Sequence, residues 1–220
     1  MLYGAAEFSR DADLALLASP ENLERLRAAL DELQAECIAV PPLEQRYLDM
    51  GLAVHFRCRH PDALNVRLDV MSKMRGVADF ESLWQRRTTL TMGDQTIEVM
   101  SLPDLVSAKK TQRDKDWPMI TRLVEANYFA NVASPTPEQV AFWLQELRTP
   151  RLLVEVAARF PDECQRVVTS RPLLSHALSG DESELTTGLH EEERLEREAD
   201  REYWKPLRAE LERLRRERRS

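Results

Sequence analysis

Apolar residues recur at every second position in the first part of the chain and at every third or fourth later on. Residues 11–18, DADLALLA, set Ala12, Leu14 and Leu16 against Asp11, Asp13 and Ala15, the period of a strand with one buried face. Pro20 and Glu21 then open a helix whose Leu23, Leu26, Leu30 and Leu33 repeat at helical spacing as far as Glu36. Further strands are predicted over 52–58 (LAVHFRC) and 64–71 (LNVRLDVM). A hairpin is predicted from Thr88–Met92 and Gln95–Met100, turning through Gly93-Asp94. Ser101 with Asp104 three residues on marks a helix start. From residue 102 the pattern predicts helices only: Leu102 to Gln112, Trp117 to Tyr128, Pro137 to Leu147 and Pro150 to Phe160, punctuated by prolines. From His190 a charge-rich helix carries one narrow stripe, Leu195, Ala199, Tyr203, Leu207 and Leu211, with Pro206 expected to kink or restart it.

The fold class expected is α+β: a small mixed sheet followed by a helical C-terminal region. The expected division is a first domain over 1–130, a helical region over 131–189 and a charged helix over 190–220. With 220 residues, 43% hydrophobic and 31% charged, the chain has the composition of a globular protein and no apolar run suited to crossing a bilayer. The start MLYGAAEFSRDADLAL lacks a basic segment followed by an apolar one, so the cytoplasm is the expected location. Three cysteines, Cys37, Cys58 and Cys164, without a C-x-x-C pair, predict free thiols. A net charge of -7 argues against a nucleic-acid binder that uses its whole surface.

The chemistry-bearing pattern lies on the predicted strands. Asp11 and Asp13, two residues apart, project from one strand face, where two like charges call for a cation. In the 64–71 strand Leu64, Val66, Leu68 and Val70 form the apolar set, which turns Asn65, Arg67 and Asp69 to the other face. If the two strands are neighbours, Asp69 completes a cluster of three carboxylates. Oxygen-only ligands suit Mg²⁺ or Mn²⁺, which keep waters and take substrate phosphates.

The segment LYGAAEFSRDADLAL resembles the stretch of nucleotidyltransferase-fold proteins in which a small loop, a Ser or Thr and an Asp-x-Asp strand follow one another. Leu2, Gly4, Ser9, Asp11, Asp13 and Leu14 fall on that pattern. Asp69 in VRLDV resembles the family's third metal-binding carboxylate, and SLPDLVSAKKTQRDKDW resembles the later segment of the minimal, AbiEii-like branch, with Lys109, Arg113 and Asp116 in its Lys, Arg and Asp places. The resemblance covers roughly the first 130 residues. It implies transfer of a nucleoside monophosphate from an NTP to an acceptor hydroxyl. Asp11, Asp13 and Asp69 are then the catalytic, metal-holding residues, Ser9, Lys109 and Arg113 contact the nucleotide, and Mg²⁺ or Mn²⁺ is the cofactor. The acceptor so implied is a tRNA, a protein or a small molecule, in a toxin-antitoxin or defence setting. Two departures stand beside it: no Gly-Gly or Gly-Ser turn precedes Asp11 at the family's distance, and Glu7 stands where the family often has Arg. They lead to the expectation of either a longer native chain or a catalytically silent, antitoxin-like binding module.

Plainer roles compete for several of these residues. Asp11 and Asp13 also suit a solvated sheet edge, and Asp69 also suits an ion pair with Arg67 or Lys73. Lys109 and Lys110 fall in the last turn of a helix, where the dipole favours cations, and Asp116 before Trp117-Pro118 suits a helix cap. Strand alternation separates His55 from Cys58 and His60, which excludes a shared metal. The tryptophans are expected in packing, and the C-terminal helix is expected either to dock on its own domain or to meet a protein partner.

Overall fold

The computed structural model describes residues 11–219. The architecture is α+β, as the pattern predicted, and the described chain forms two compact units. One comprises residues 11–104 and 202–219; the other is Leu105–Arg201. No helix among the described residues is long and apolar enough to cross a membrane.

The first unit is built on a four-stranded sheet of order β1-β4-β3-β2, from β1 (Asp11–Ala15), β2 (Glu36–Cys37), β3 (Val54–Arg57) and β4 (Arg67–Met71). β1 runs parallel to β4, and the other two pairings are antiparallel, so the sheet is mixed. Helix α1 (Pro20–Glu32) follows β1; Ser19 caps it by accepting the Asn22 N–H at 3.3 Å, with Pro20 in the first turn. Leu23 and Leu30 of α1 are buried in one cluster with Val54, Phe56, Leu68 and Val70 of the sheet. Each such side chain contributes about 1.5–3 kcal/mol on burial. The opposite sheet face is left polar.

Helix α2 (Gln45–Met50) ends at Gly51, whose φ of 95 suits a residue without a Cβ. Tyr47 and Leu52 beside it share a core with Leu207 and Leu214. α3 (Phe80–Arg86) begins at Asp79, which accepts the Ser82 N–H at 2.9 Å. The hairpin β5 (Thr88–Met92) and β6 (Gln95–Val99) turns at Gly93, as predicted, and forms its own two-stranded sheet. α4 (Leu102–Lys109) starts where expected: Ser101 Oγ accepts the Asp104 N–H at 3.3 Å and donates to Asp104 Oδ2 at 2.6 Å.

The helical unit contains α5 (Asp116–Asn131), α6 (Pro137–Glu146), α7 (Pro150–Arg159), α8 (Pro161–Val167), α9 (Leu174–Ser179) and the first part of α10 (Glu182–Glu217). Its core includes Ile120, Val124, Trp143, Leu144, Leu153, Leu174 and Leu185, all essentially without exposure. α6 opens on a reciprocal cap between Thr136 and Gln139. Prolines sit in the first turns of α6, α7 and α8, where their missing N–H costs nothing.

Several boundaries differ from the sequence reading: α1 ends at Glu32 rather than Glu36, and β4 starts at Arg67 rather than Leu64, which leaves Asn65, with its positive φ, outside the strand face on which it was expected. α4 ends at Lys109 rather than Gln112, because Thr111 and Arg113 are drawn onto the buried Asp116. α10 begins at Glu182 rather than near His190, where Asp181 accepts the Glu184 N–H at 3.0 Å and Leu185 and Leu189 extend the buried stripe. It also continues through Pro206, which stands inside the helix.

Candidate functional site

Two adjacent strands bring the predicted carboxylates to one face. In the parallel β1/β4 ladder Asp11 stands opposite Arg67 and Asp13 opposite Asp69. In the antiparallel β3/β4 ladder His55 stands opposite Asp69 and Arg57 opposite Arg67. Side chains alternate along each strand, so the polar face carries the rows Asp13, Asp69, His55 and Asp11, Arg67, Arg57. The condition set by the sequence, that the two Asp-bearing strands be neighbours, is met.

The contacts within these rows have a definite order. Arg67 Nε donates to Asp69 Oδ1 at 2.7 Å and Arg67 Nη2 to Asp69 Oδ2 at 2.9 Å, a bidentate grip on the carboxylate. His55 Nδ1 lies 2.8 Å from Asp69 Oδ1 and 3.1 Å from Arg67 Nη2. A protonated Nδ1 satisfies the shorter contact by donating to the carboxylate, which fixes the ring and turns Nε2 away from Asp69. The hydrogen bonds to Asp69, and after them the charges of Asp69, Asp11 and Asp13, raise the Arg67 guanidinium above its ordinary pKa against the opposing effect of burial. Arg67 is therefore the cation in the field of all three carboxylates. The Asp13 carboxylate accepts no hydrogen bond from any described residue.

No family model, curated protein or solved structure matches the chain. The chemistry of this face is therefore argued from its own residues. Its donors are carboxylate oxygens, the type Mg²⁺ and Mn²⁺ take, and it already surrounds a positive group. In donor type and charge it fits a divalent cation. In the arrangement seen, however, both Asp69 oxygens are bound to Arg67, and among the described residues no three His, Cys, Asp or Glu side chains gather closely enough to hold a metal.

The other predicted residues lie elsewhere. Ser9, with Leu2, Gly4 and Glu7, falls outside the described residues. Lys109 ends α4 and belongs to the helical unit, where among the described residues its ammonium has no ion-pair partner. Lys110 instead pairs with Glu146 at 2.8 Å. Arg113 is not on the Lys109 helix face as the spacing predicted, but in the loop after α4. There its Nε donates to Asp116 Oδ2 at 2.7 Å, and its side chain is half exposed. Asp116 is 1% exposed and opens α5 without capping it. Its carboxylate also accepts from Thr111 Oγ1 at 2.5 Å, while Trp117 Nε1 donates to the Thr111 carbonyl at 2.8 Å. Asp116 thus organises the loop that carries Arg113. Cys58 is fully buried while His55 is half-buried on the polar face, which agrees with the exclusion of a shared metal.

The sequence reading missed His55 as a partner of Asp69, while the Asp69–Arg67 ion pair that it named as the alternative to a metal is present. The signal for His55 lay in the two-sided neighbourhood of a central strand.

Proposed function

We propose that the chain is a Mg²⁺- or Mn²⁺-dependent nucleotidyltransferase that moves a nucleoside monophosphate from an NTP to an acceptor hydroxyl, with release of pyrophosphate. The observation that supports this best is the register that sets Asp13 against Asp69, with Asp11 on the same face. The resemblance of the Asp-x-Asp strand and of the VRLDV segment to the nucleotidyltransferase pattern supplies the reaction class. In this reading Asp11 and Asp13 hold the cofactor, and Asp69, steadied by His55, serves the acceptor side. A bound divalent ion lowers the pKa of an attacking hydroxyl and neutralises charge on the leaving pyrophosphate. Lys109 and Arg113 enter the proposal as triphosphate contacts through the resemblance alone. The acceptor class is a tRNA, a protein or a small molecule, the setting is cytoplasmic, and a toxin or defence role follows from the same resemblance.

The test supplies labelled NTPs, Mg²⁺ and a cell extract to the purified protein. The proposal expects a labelled acceptor that Asp13→Ala fails to produce. Equal labelling by both proteins, or none by either, overturns it.

A second reading is favoured by one specific observation, the bidentate hold of Arg67 on Asp69. It makes the chain a catalytically silent, antitoxin-like binding module of the same fold class, with Asp69 on its polar sheet face occupied from within. Under this reading NTP with Mg²⁺ leaves the melting temperature unchanged.

A further inference from the structure

We propose that the exposed arginine row on the C-terminal part of α10 binds the phosphodiester backbone of double-stranded RNA. The inference goes beyond the metal-dependent reading and does not rest on it.

The part of α10 that belongs to the sheet unit begins at Glu202. Leu207 and Leu214 are buried there with Tyr47 and Leu52. Arg208, Glu212, Arg215 and Arg219 follow one another at spacings of four, three and four, so they form one row on the side turned away from that stripe. Arg216 stands beside the row, and all five side chains are exposed. The row is about 16 Å long at 1.5 Å per residue. Arg219 lies just past the helix, where its N–H donates to the Arg216 carbonyl at 3.1 Å and keeps it in line. The neighbouring acids are engaged elsewhere. On the other flank Arg213 grips Glu210 through Nε at 2.8 Å and Nη2 at 2.6 Å, and it also pairs with Glu217. Among the described residues Arg215 and Arg219 have no carboxylate partner, and Glu212 has no cation. Four guanidinium groups thus stand together on a chain whose net charge is -7. The helix dipole favours cations only in the last turn, so it does not account for Arg208.

The residue types select the partner. Guanidinium forks match phosphate oxygens, and a row of like charges matches a repeating polyanion. Residues 205–219 contain no aromatic residue and no Asn, Gln, Ser or Thr, so the face neither stacks on unpaired bases nor reads base edges through amides. Its leucines are turned into the unit's own core, so it lacks the apolar face with which a helix enters a membrane surface. A duplex backbone, met without regard to sequence, remains. The helix is docked along one side and presents a ridge, which suits the wide, shallow minor groove of A-form RNA better than a groove that must admit a whole helix. That groove displays 2′-hydroxyls, which donate to an acceptor that arginine cannot supply; Glu212 supplies one in the middle of the row.

The experiment follows the fluorescence anisotropy of a labelled RNA duplex of about 16 base pairs, and of a DNA duplex of the same sequence, as the full chain is added without NTP or divalent metal. Wild-type affinity for the RNA should fall about a hundredfold between about 50 and 200 mM salt, as four phosphate contacts require, and only about tenfold for the doubly substituted Arg215→Ala, Arg219→Ala chain. At the lower salt that double variant should bind about tenfold more weakly than the wild type. Arg25→Ala with Arg27→Ala removes the same charge from exposed positions on α1 and should stay within about twofold of the wild type. The wild type should prefer RNA to DNA, and Glu212→Ala should abolish that preference. No binding to the RNA duplex, equal weakening by the two double variants, equal wild-type affinity for the two duplexes, or a preference that survives Glu212→Ala overturns the proposal. Each of these results leaves the metal-dependent reading to its own test, the labelling by NTP.

Discussion

Arg67 in the sheet unit and Arg171 in the helical unit grip a carboxylate in the same bidentate way, yet they do different work. Arg171 is 6% exposed; it binds Glu192 through Nε at 3.0 Å and Nη2 at 2.9 Å, and donates to the carbonyls of Leu144 and Leu147 at 2.8 and 3.0 Å. Those carbonyls lie at the C-terminal end of α6, where the last turn of a helix has no donors of its own. Arg171 is thus a side-chain cap sealed into the core, and its loss would strand both carbonyls, while Glu192 would keep Arg148 at 3.6 Å. Arg67 meets only side chains, on a face open to water. The difference teaches that partner type and exposure, rather than the pairing itself, separate an arginine built into a core from one held at a polar face.

The sharpest way to break this comparison is to remove each arginine in turn. Arg171→Ala should cost about 2–6 kcal/mol in chemical denaturation, about 1–3 kcal/mol for each of the two carbonyls left without a donor. Arg67→Ala should cost less, about 1–2 kcal/mol, since the pair is partly exposed and no main-chain carbonyl loses a donor. Equal losses would remove the distinction. Gly51→Ala should cost about 2 kcal/mol, because Gly51 has a φ of 95 and a new Cβ would meet the Tyr203 hydroxyl. That result would show that the sheet unit is rigid on its packed side even where its polar face is adaptable.

A pH experiment sharpens the helical side of the comparison. Burial, followed by the hydrogen bond to Glu155 at 2.7 Å, pushes the Tyr128 hydroxyl up to about 12. The folded chain therefore holds this proton more tightly than the unfolded one, so the stability it contributes is complete below pH 10 and is lost as pH rises towards 12. Tyr128→Phe should flatten that alkaline slope in a urea-unfolding series, and an unchanged slope would assign it to other groups. The smallest effect is expected at the hairpin, where Ile97→Thr on an exposed strand should alter stability by less than about 0.5 kcal/mol.

The sheet was largely readable from the pattern because alternation carries the needed information. Ala12, Leu14 and Leu16 against Asp11 and Asp13, and Leu68 and Val70 against Arg67 and Asp69, mark which residues share a face before any pairing is known, although Leu14 remains 40% exposed. The two-residue strand Glu36–Cys37 and the short helices α2, α3, α8 and α9 escaped notice because none is long enough to establish a period. The loop carrying Arg113 was misread as a helix face, since Asp116, which shapes it, acts through side-chain bonds. The Asp200 carboxylate that accepts the Gln112 N–H at 2.9 Å lies 88 residues away. Of the candidate site, the three carboxylates and their shared face were legible. The guanidinium at its centre was legible only as a competing ion pair, because the choice between Arg67 and a metal is set by rotamer and charge balance rather than by spacing.

The claim that the carboxylate face takes a metal nucleotide is tested most directly by the melting temperature of the wild type and of Asp13→Asn, with and without NTP plus Mg²⁺. A ligand that binds only the folded chain must raise the melting temperature by mass action. The account predicts a rise of several degrees for the wild type at saturating NTP and Mg²⁺, absent in Asp13→Asn. A wild-type melting temperature that does not move, or one that moves equally in Asp13→Asn, would contradict it.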